Sequence, residues 1–204
     1  MNAADRADEQ LLAAAASGDL AAIKTALDAG ADVDARDPGG RTALLVATAA
    51  RQTEAVRQLL AAGADVDLQD DRLDNPFLYA GAEGLLDILR LVDDAGADPT
   101  ITNRFGGTAL IPASERGHVE VVRYLLDETD VDVDHVNRLG WTALLEAILL
   151  SDGGPRHQEI VRMLLDAGAD PDLADGDGMK PLAHARAKGF REIAGLLEAA
   201  DATA

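Results

Sequence analysis

The chain has 204 residues, 37 acidic against 18 basic, for a formal net charge of -19; 48% are hydrophobic, only 3% aromatic, and none is cysteine. So acidic a surface repels phosphate backbones and anionic bilayers, which argues against nucleic-acid and membrane partners. The lack of cysteine excludes disulfides, thiolate catalysis and cysteine-bound metals.

Alanine and leucine supply most of the apolar surface, which favours short, closely packed helices over a sandwich or barrel. The chain opens on Met1-Asn2-Ala3-Ala4-Asp5, with no basic patch. The Ala13–Ala16 run is too short for a signal core and sits in an amphipathic pattern. No segment reaches the roughly 18–20 apolar residues of a membrane span. A cytoplasmic monomer is expected, or a periplasmic one if a signal peptide has been removed. Abundant acid with only three lysines (Lys24, Lys180, Lys188) fits solubility first and high-salt adaptation second.

A helix-opening box recurs along the chain. It reads Thr42-Ala43-Leu44-Leu45-Val46-Ala47, then Asn75-Pro76-Phe77-Leu78-Tyr79-Ala80, then Thr108-Ala109-Leu110-Ile111-Pro112-Ala113. It returns as Thr142-Ala143-Leu144-Leu145-Glu146-Ala147 and Lys180-Pro181-Leu182-Ala183-His184-Ala185, with steps of 33, 33, 34 and 38 residues. Thr or Asn caps the helix, and Pro76 and Pro181 suit its first turn. Pro112 lies deeper and should disturb helical hydrogen bonding. A turn at Gly18, Gly84, Gly117 or Gly189 leads to a second helix, such as Val56-Leu59-Leu60 or Val121-Val122-Leu125-Leu126. Glycine then closes it at Gly30, Gly63, Gly96 and Gly168, each opening a Gly-Ala-Asp turn. The step of 34 reflects one extra residue in Glu128–Asp134, where that turn is lost. The step of 38 reflects five extra residues near Ser151–Pro155, between two helices of one unit.

One helix pair cannot bury its own core, so neighbours must complete it. A single domain over 1–204 is expected, in six units: 5–37 as an N-terminal cap, 38–70, 71–103, 104–137, 138–174, and 175–204 as a C-terminal cap.

The 33-residue period, the Thr-x-Leu-x-x-Ala box, Arg116-Gly117-His118-Val119-Glu120-Val121-Val122 and the Gly-Ala-Asp turns resemble ankyrin repeats over nearly the whole chain. Asn103–Ala113 and Asp134–Ala147 are similar to small single-domain bacterial ankyrin proteins, some of them exported to the periplasm. The resemblance implies an all-α solenoid of antiparallel helix pairs with projecting β-hairpin-like loops. It also implies non-enzymatic binding of a protein partner through loop tips and a concave helix face. One departure stands out. The histidine that many such boxes carry after leucine is replaced by Leu45, Leu78, Ile111, Leu145 and Ala183. The inter-loop network it would build must be absent or replaced, and aliphatic packing is the expected substitute.

Family positions place Arg72, Arg104, Phe105, Arg138, Leu139 and Trp141 at the loop tips. Exposed Trp and Arg are frequent binding anchors. Together they predict a basic-aromatic contact patch, against the plainer reading that Phe105 and Trp141 pack on neighbouring loops. Tyr79, Pro112, Glu146 and His184 share the fifth box position and bring polar groups to the inner helix layer. Tyr79 and Glu146 join the expected partner-contacting set, although a structural hydrogen bond is the simpler role for Glu146. The alternative function is a small-ligand binder or enzyme built on Tyr79, Trp141, Glu146 and His184. His118 fits the ordinary Gly-His turn, and His135 and His157 lie in loops. None has metal-ligand spacing, so neither metal nor cofactor is expected. The strings Asp32, Asp34, Asp37 and Asp65, Asp67, Asp70 resemble calcium loops but lack their glycine and glutamate, which favours turn and cap roles over weak cation binding.

Overall fold

A computed structural model describes residues 3–201; the expectations that touch the first two and last three residues lie outside it. Among the described residues are twelve helices in six consecutive pairs. They are α1 (Ala3–Ser17), α2 (Leu20–Asp28), α3 (Ala43–Ala49), α4 (Thr53–Ala61), α5 (Pro76–Glu83), α6 (Leu86–Asp94), α7 (Leu110–Glu115), α8 (Val119–Glu128), α9 (Ala143–Leu149), α10 (Pro155–Asp166), α11 (Pro181–Lys188) and α12 (Arg191–Asp201).

The helices gather into two compact units. The first ends at Ile101; the second holds Gly81–Gly84 and runs on from Thr102. In the first, α1 packs on α2 and α3, α3 on α4, and α4 on α2 and α6. Its core is Leu11, Ile23, Leu44, Leu45, Val56, Leu59, Phe77 and Leu89, all within 1% of full burial. In the second, α9 packs between α7 and α11, and α10 between α8 and α12. Leu110, Val122, Leu125, Leu144, Ile148, Ile160, Leu164 and Ile193 fill that core. First helices thus stack on first helices and second on second, as a repeat whose units complete one another requires.

The helix ends follow the expected chemistry. Thr42 Oγ1 and Thr142 Oγ1 each accept from the N–H three residues on, at 3.2 Å, and Asn75 Oδ1 does so at 2.8 Å. Gly30, Gly63, Gly96 and Gly168 follow their second helices at φ between 88° and 93°. Where that turn is lost, α8 ends at Thr129 in extended conformation, and its hydroxyl donates to Leu125 O at 2.6 Å. The five-residue insertion divides itself. Part forms the Ser151–Gly154 turn, and part lengthens α10 to twelve residues, begun by Pro155.

Pro112 has the expected effect. Without its N–H, α7 starts late at Leu110 and is the shortest helix described, at six residues. The Ile111 N–H turns to Thr108 O, and the buried Thr108 Oγ1 is left without a partner.

The loops between repeats are built by one device used five times. Asp37, Asp70, Asn103, Asn137 and Asp175 each accept two backbone N–H groups on Oδ1, from the residues two and four further on, at 2.8–3.1 Å. Each also donates its own N–H to the carbonyl four residues on, closing a tight hairpin-like turn. The fourth residue of that turn must take positive φ. It is Gly40, Gly106, Gly140 and Gly178, but Leu73 in the second loop, at φ 59°.

The aspartate strings do more than turn the chain. Asp34 Oδ1 accepts from Asp65 N, Asp67 Oδ1 from Asp98 N, and Asp134 Oδ1 from Asp170 N, at 2.9–3.0 Å. Each bond ties one repeat to the next. Aliphatic packing is therefore only part of what stands in for the missing histidines. Leu45, Leu78, Ile111 and Leu145 are indeed buried, but the loops are also joined by hydrogen bonds of their own.

Candidate functional site

The residues expected at the contact surface fall in both compact units. In the second, Arg104 and Phe105 occupy the tip of the loop before α7, and Arg138, Leu139 and Trp141 the loop before α9. These two loops are locked together. Arg138 N donates to Phe105 O at 2.9 Å, and Arg138 Nη1 donates to Arg104 O at 2.8 Å. His135 Nε2 donates to Gly106 O at 2.7 Å, and Asn103 N to Gly107 O at 2.9 Å. Every carbonyl from Arg104 to Gly107 is thus accounted for.

On this rigid base the tip exposes apolar surface. Phe105 is 49% exposed and Leu139 55%. The Arg104 guanidinium lies over the Phe105 ring, 4.4 Å from its centre, in cation–π geometry. Trp141 is half-buried rather than standing free. Its N–H is held by Asn137 Oδ1 at 3.1 Å.

Glu146 sits beneath this surface, 6% exposed, and accepts from Asn137 Nδ2 at 2.8 Å. Burial, with the charge of Glu115 nearby, pushes its carboxyl up to about 7, against the pull of the Asn137 hydrogen bond. Asn137 thus holds the loop tip with its oxygen and Glu146 with its nitrogen. The last repeat uses the same two positions differently: His184 Nε2 meets Asp175 Oδ2 at 2.7 Å. Glu146 and His184 are each engaged by the loop of their own repeat. The remaining histidines are occupied likewise, His118 by Ala82 O at 3.1 Å and His157 by Glu115 O at 3.0 Å.

In the first compact unit, Arg72 and Tyr79 line a cavity of about 530 Å³ together with Asp37, Arg41, Leu45, Asp70, Asp71 and Asp74. This pocket could not be read from the sequence. Arg72 was legible as a loop-tip residue and Tyr79 as an inner-helix residue, but nothing in their spacing shows that they border the same space. Among the described residues, no helix is long and apolar enough to cross a membrane.

Known proteins place this architecture. The Escherichia coli (strain K12) protein YahD, described as an ankyrin repeat protein, is 54% identical over 99 residues, which is 48% of this chain and 49% of YahD. The chain therefore matches only about half the length of that relative. The crystal structure of an ankyrin repeat domain from Acinetobacter baumannii AYE superimposes with a TM-score of 0.90 at 55% identity, covering 94% of this chain and 97% of that one. The ankyrin repeat protein EF0377 gives 0.89 at 39% identity, with the same coverage. The profile of the family described as Ankyrin repeats (3 copies) matches residues 11–103 and 77–175. With its five-fold box, its paired helices and these relatives, the chain belongs to the ankyrin-repeat family.

Proposed function

We propose that this chain is a non-enzymatic module that binds a protein partner through its loop tips and the inner face of its first helices. The contact surface in the second compact unit is Arg104, Phe105, Arg138, Leu139 and Trp141, with Glu146 holding it from below; Arg72 and Tyr79 contribute in the first. The observation that carries this reading is the pair of exposed apolar side chains, Phe105 and Leu139, on two turns that are each closed by backbone hydrogen bonds and joined to each other through Arg138. Exposed apolar groups on a preorganised surface lose little entropy on association, which favours a binding role. The same reading takes the chain as a monomer of six repeats, the first and last acting as caps, in the cytoplasm or, after export, the periplasm.

The test is affinity capture with mass spectrometry on wild type and two variants. One is Trp141→Ala/Arg138→Ala. The other, Phe105→Ser/Leu139→Ser, leaves every loop hydrogen bond in place. A partner captured by wild type and lost by both variants, with unchanged circular dichroism, supports the proposal. A partner retained by both would sink it.

A further inference from the structure

The repeated loop device has one unused valence, on a residue that lines a cavity. In four of the five loops the first residue either carries no charge or spends it. Asp37 Oδ2 takes the Arg41 guanidinium, Nη2 at 2.7 Å. Asp175 Oδ2 takes His184 at 2.7 Å. Asn103 and Asn137 are uncharged, and Asn137 gives its nitrogen to Glu146. Asp70 differs. It is 7% exposed, its Oδ1 is filled by the N–H groups of Arg72 and Asp74, and its Oδ2 meets no donor among the described residues.

Asp70 lines the 530 Å³ cavity of the first compact unit. Four carboxylates line this space (Asp37, Asp70, Asp71, Asp74) against two guanidiniums, Arg41 and Arg72. Arg41 is already paired with Asp37, so the remaining lining carries an excess of negative charge. Leu45 and Ala49 supply an apolar wall, and Tyr79 an aromatic one. A carboxylate oxygen with no protein donor at the wall of such a space is a ready acceptor, and a cation arriving there would form a charge-assisted hydrogen bond. Aromatic and aliphatic walls suit the methylene stem of such a group. Among the described residues no three His, Asp or Glu side chains are gathered so as to hold a metal ion. The fit is to an organic cation.

We propose that this cavity receives the protonated side chain of a lysine or arginine from the partner polypeptide, with Asp70 Oδ2 as its anchoring acceptor. The inference rests on the reading of the chain as a polypeptide-binding module and names the chemistry of one residue of the partner.

Asn103 and Asn137 show how to test it without disturbing the fold. Both make the same two N–H bonds as Asp70, so Asp70→Asn keeps the turn and removes only the charged oxygen. The full chain, labelled with 15N, is titrated at low ionic strength with Nα-acetyl-arginine N-methylamide, Nα-acetyl-lysine N-methylamide and the neutral Nα-acetyl-citrulline N-methylamide. Asp94→Asn, which removes one exposed charge on α6 away from the cavity, serves as the control variant. The expected result is saturable shifts at the amides of Asp71, Arg72, Asp74 and Tyr79 with at least one cationic probe. Asp70→Asn should weaken them about tenfold or more, and Asp94→Asn should leave them unchanged. Equal response to citrulline, equal weakening by both variants, or shifts spread over the whole acidic surface would overturn it. Neither Phe105, Leu139 nor Trp141 takes part in this titration, so its failure leaves the loop-tip capture intact, and the converse also holds.

Discussion

Replacing Glu146 with glutamine removes one buried charge and keeps both its shape and its acceptor for Asn137 Nδ2. The folded carboxyl holds its proton up to about pH 7, whereas an unperturbed one releases it near 4.5. A folded-state pKa above the unfolded one means that the group's contribution to stability is full below about pH 4.5 and is lost as pH rises through about 7. Linkage over that interval amounts to about 3 kcal/mol lost by pH 8, but only about 1 kcal/mol by pH 5. Glu146→Gln should therefore stabilise the protein by about 3 kcal/mol at pH 8 and by at most about 1 kcal/mol at pH 5. Urea unfolding followed by the fluorescence of Trp141, the only tryptophan, reports on this repeat directly. A gain that does not grow between pH 5 and pH 8, or a loss at pH 8, would refute the reasoning, because the carboxyl would then not be desolvated as its 6% exposure requires.

Asn137→Ala removes the acceptor for the N–H groups of Leu139 and Trp141 and the donor to Glu146. It should cost about 3 kcal/mol and speed amide exchange at both residues, read by hydrogen–deuterium exchange. Gly30→Ala and Gly84→Ala separate backbone strain from collision. Both glycines have positive φ, but a Cβ at Gly30 meets open space, whereas at Gly84 it would lie 2.6 Å from His118 Nδ1. Thermal melts should show a loss of about 1 kcal/mol for the first and distinctly more for the second. Asp67→Ala removes the acceptor for Asp98 N and should cost about 1 kcal/mol, while Asp67→Asn keeps that acceptor and should be close to neutral in chemical denaturation.

Much of the fold is legible in the sequence because it rests on local, repeated chemistry. The box positions, the caps at Thr42, Asn75 and Thr142, and the glycines after the second helices carry their conformational preference in their own side chains. Pro112 announces its disturbance in the same way. What the sequence hides are bonds between residues that share no period. Asp37, Asp70, Asn103, Asn137 and Asp175 recur in step with the box, so their turn-forming role is readable. That Asn137 engages Glu146 while Asp175 engages His184 depends on which partner each repeat carries nine residues on. The repeat-to-repeat bonds of Asp34, Asp67 and Asp134 are hidden too, because aspartate in a turn looks the same whether or not a second loop lies within reach. Trp141 shows the limit for the site: its place at the loop is readable, but its partial burial depends on packing that no spacing encodes. Leu73, in a position that four other loops give to glycine, gave no sequence signal of its φ of 59°.

The central claim is that the loop tips before α7 and α9 form the contact surface. Site-specific photo-crosslinking in the native cell tests it most directly, with the crosslinker placed at exposed Leu139 or, as a control, at exposed Arg162 on α10. A discrete crosslinked protein at position 139, absent at 162 and abolished by Phe105→Ser, is the predicted result. The same product from both positions, or none from 139 while 162 captures a partner, would contradict the account.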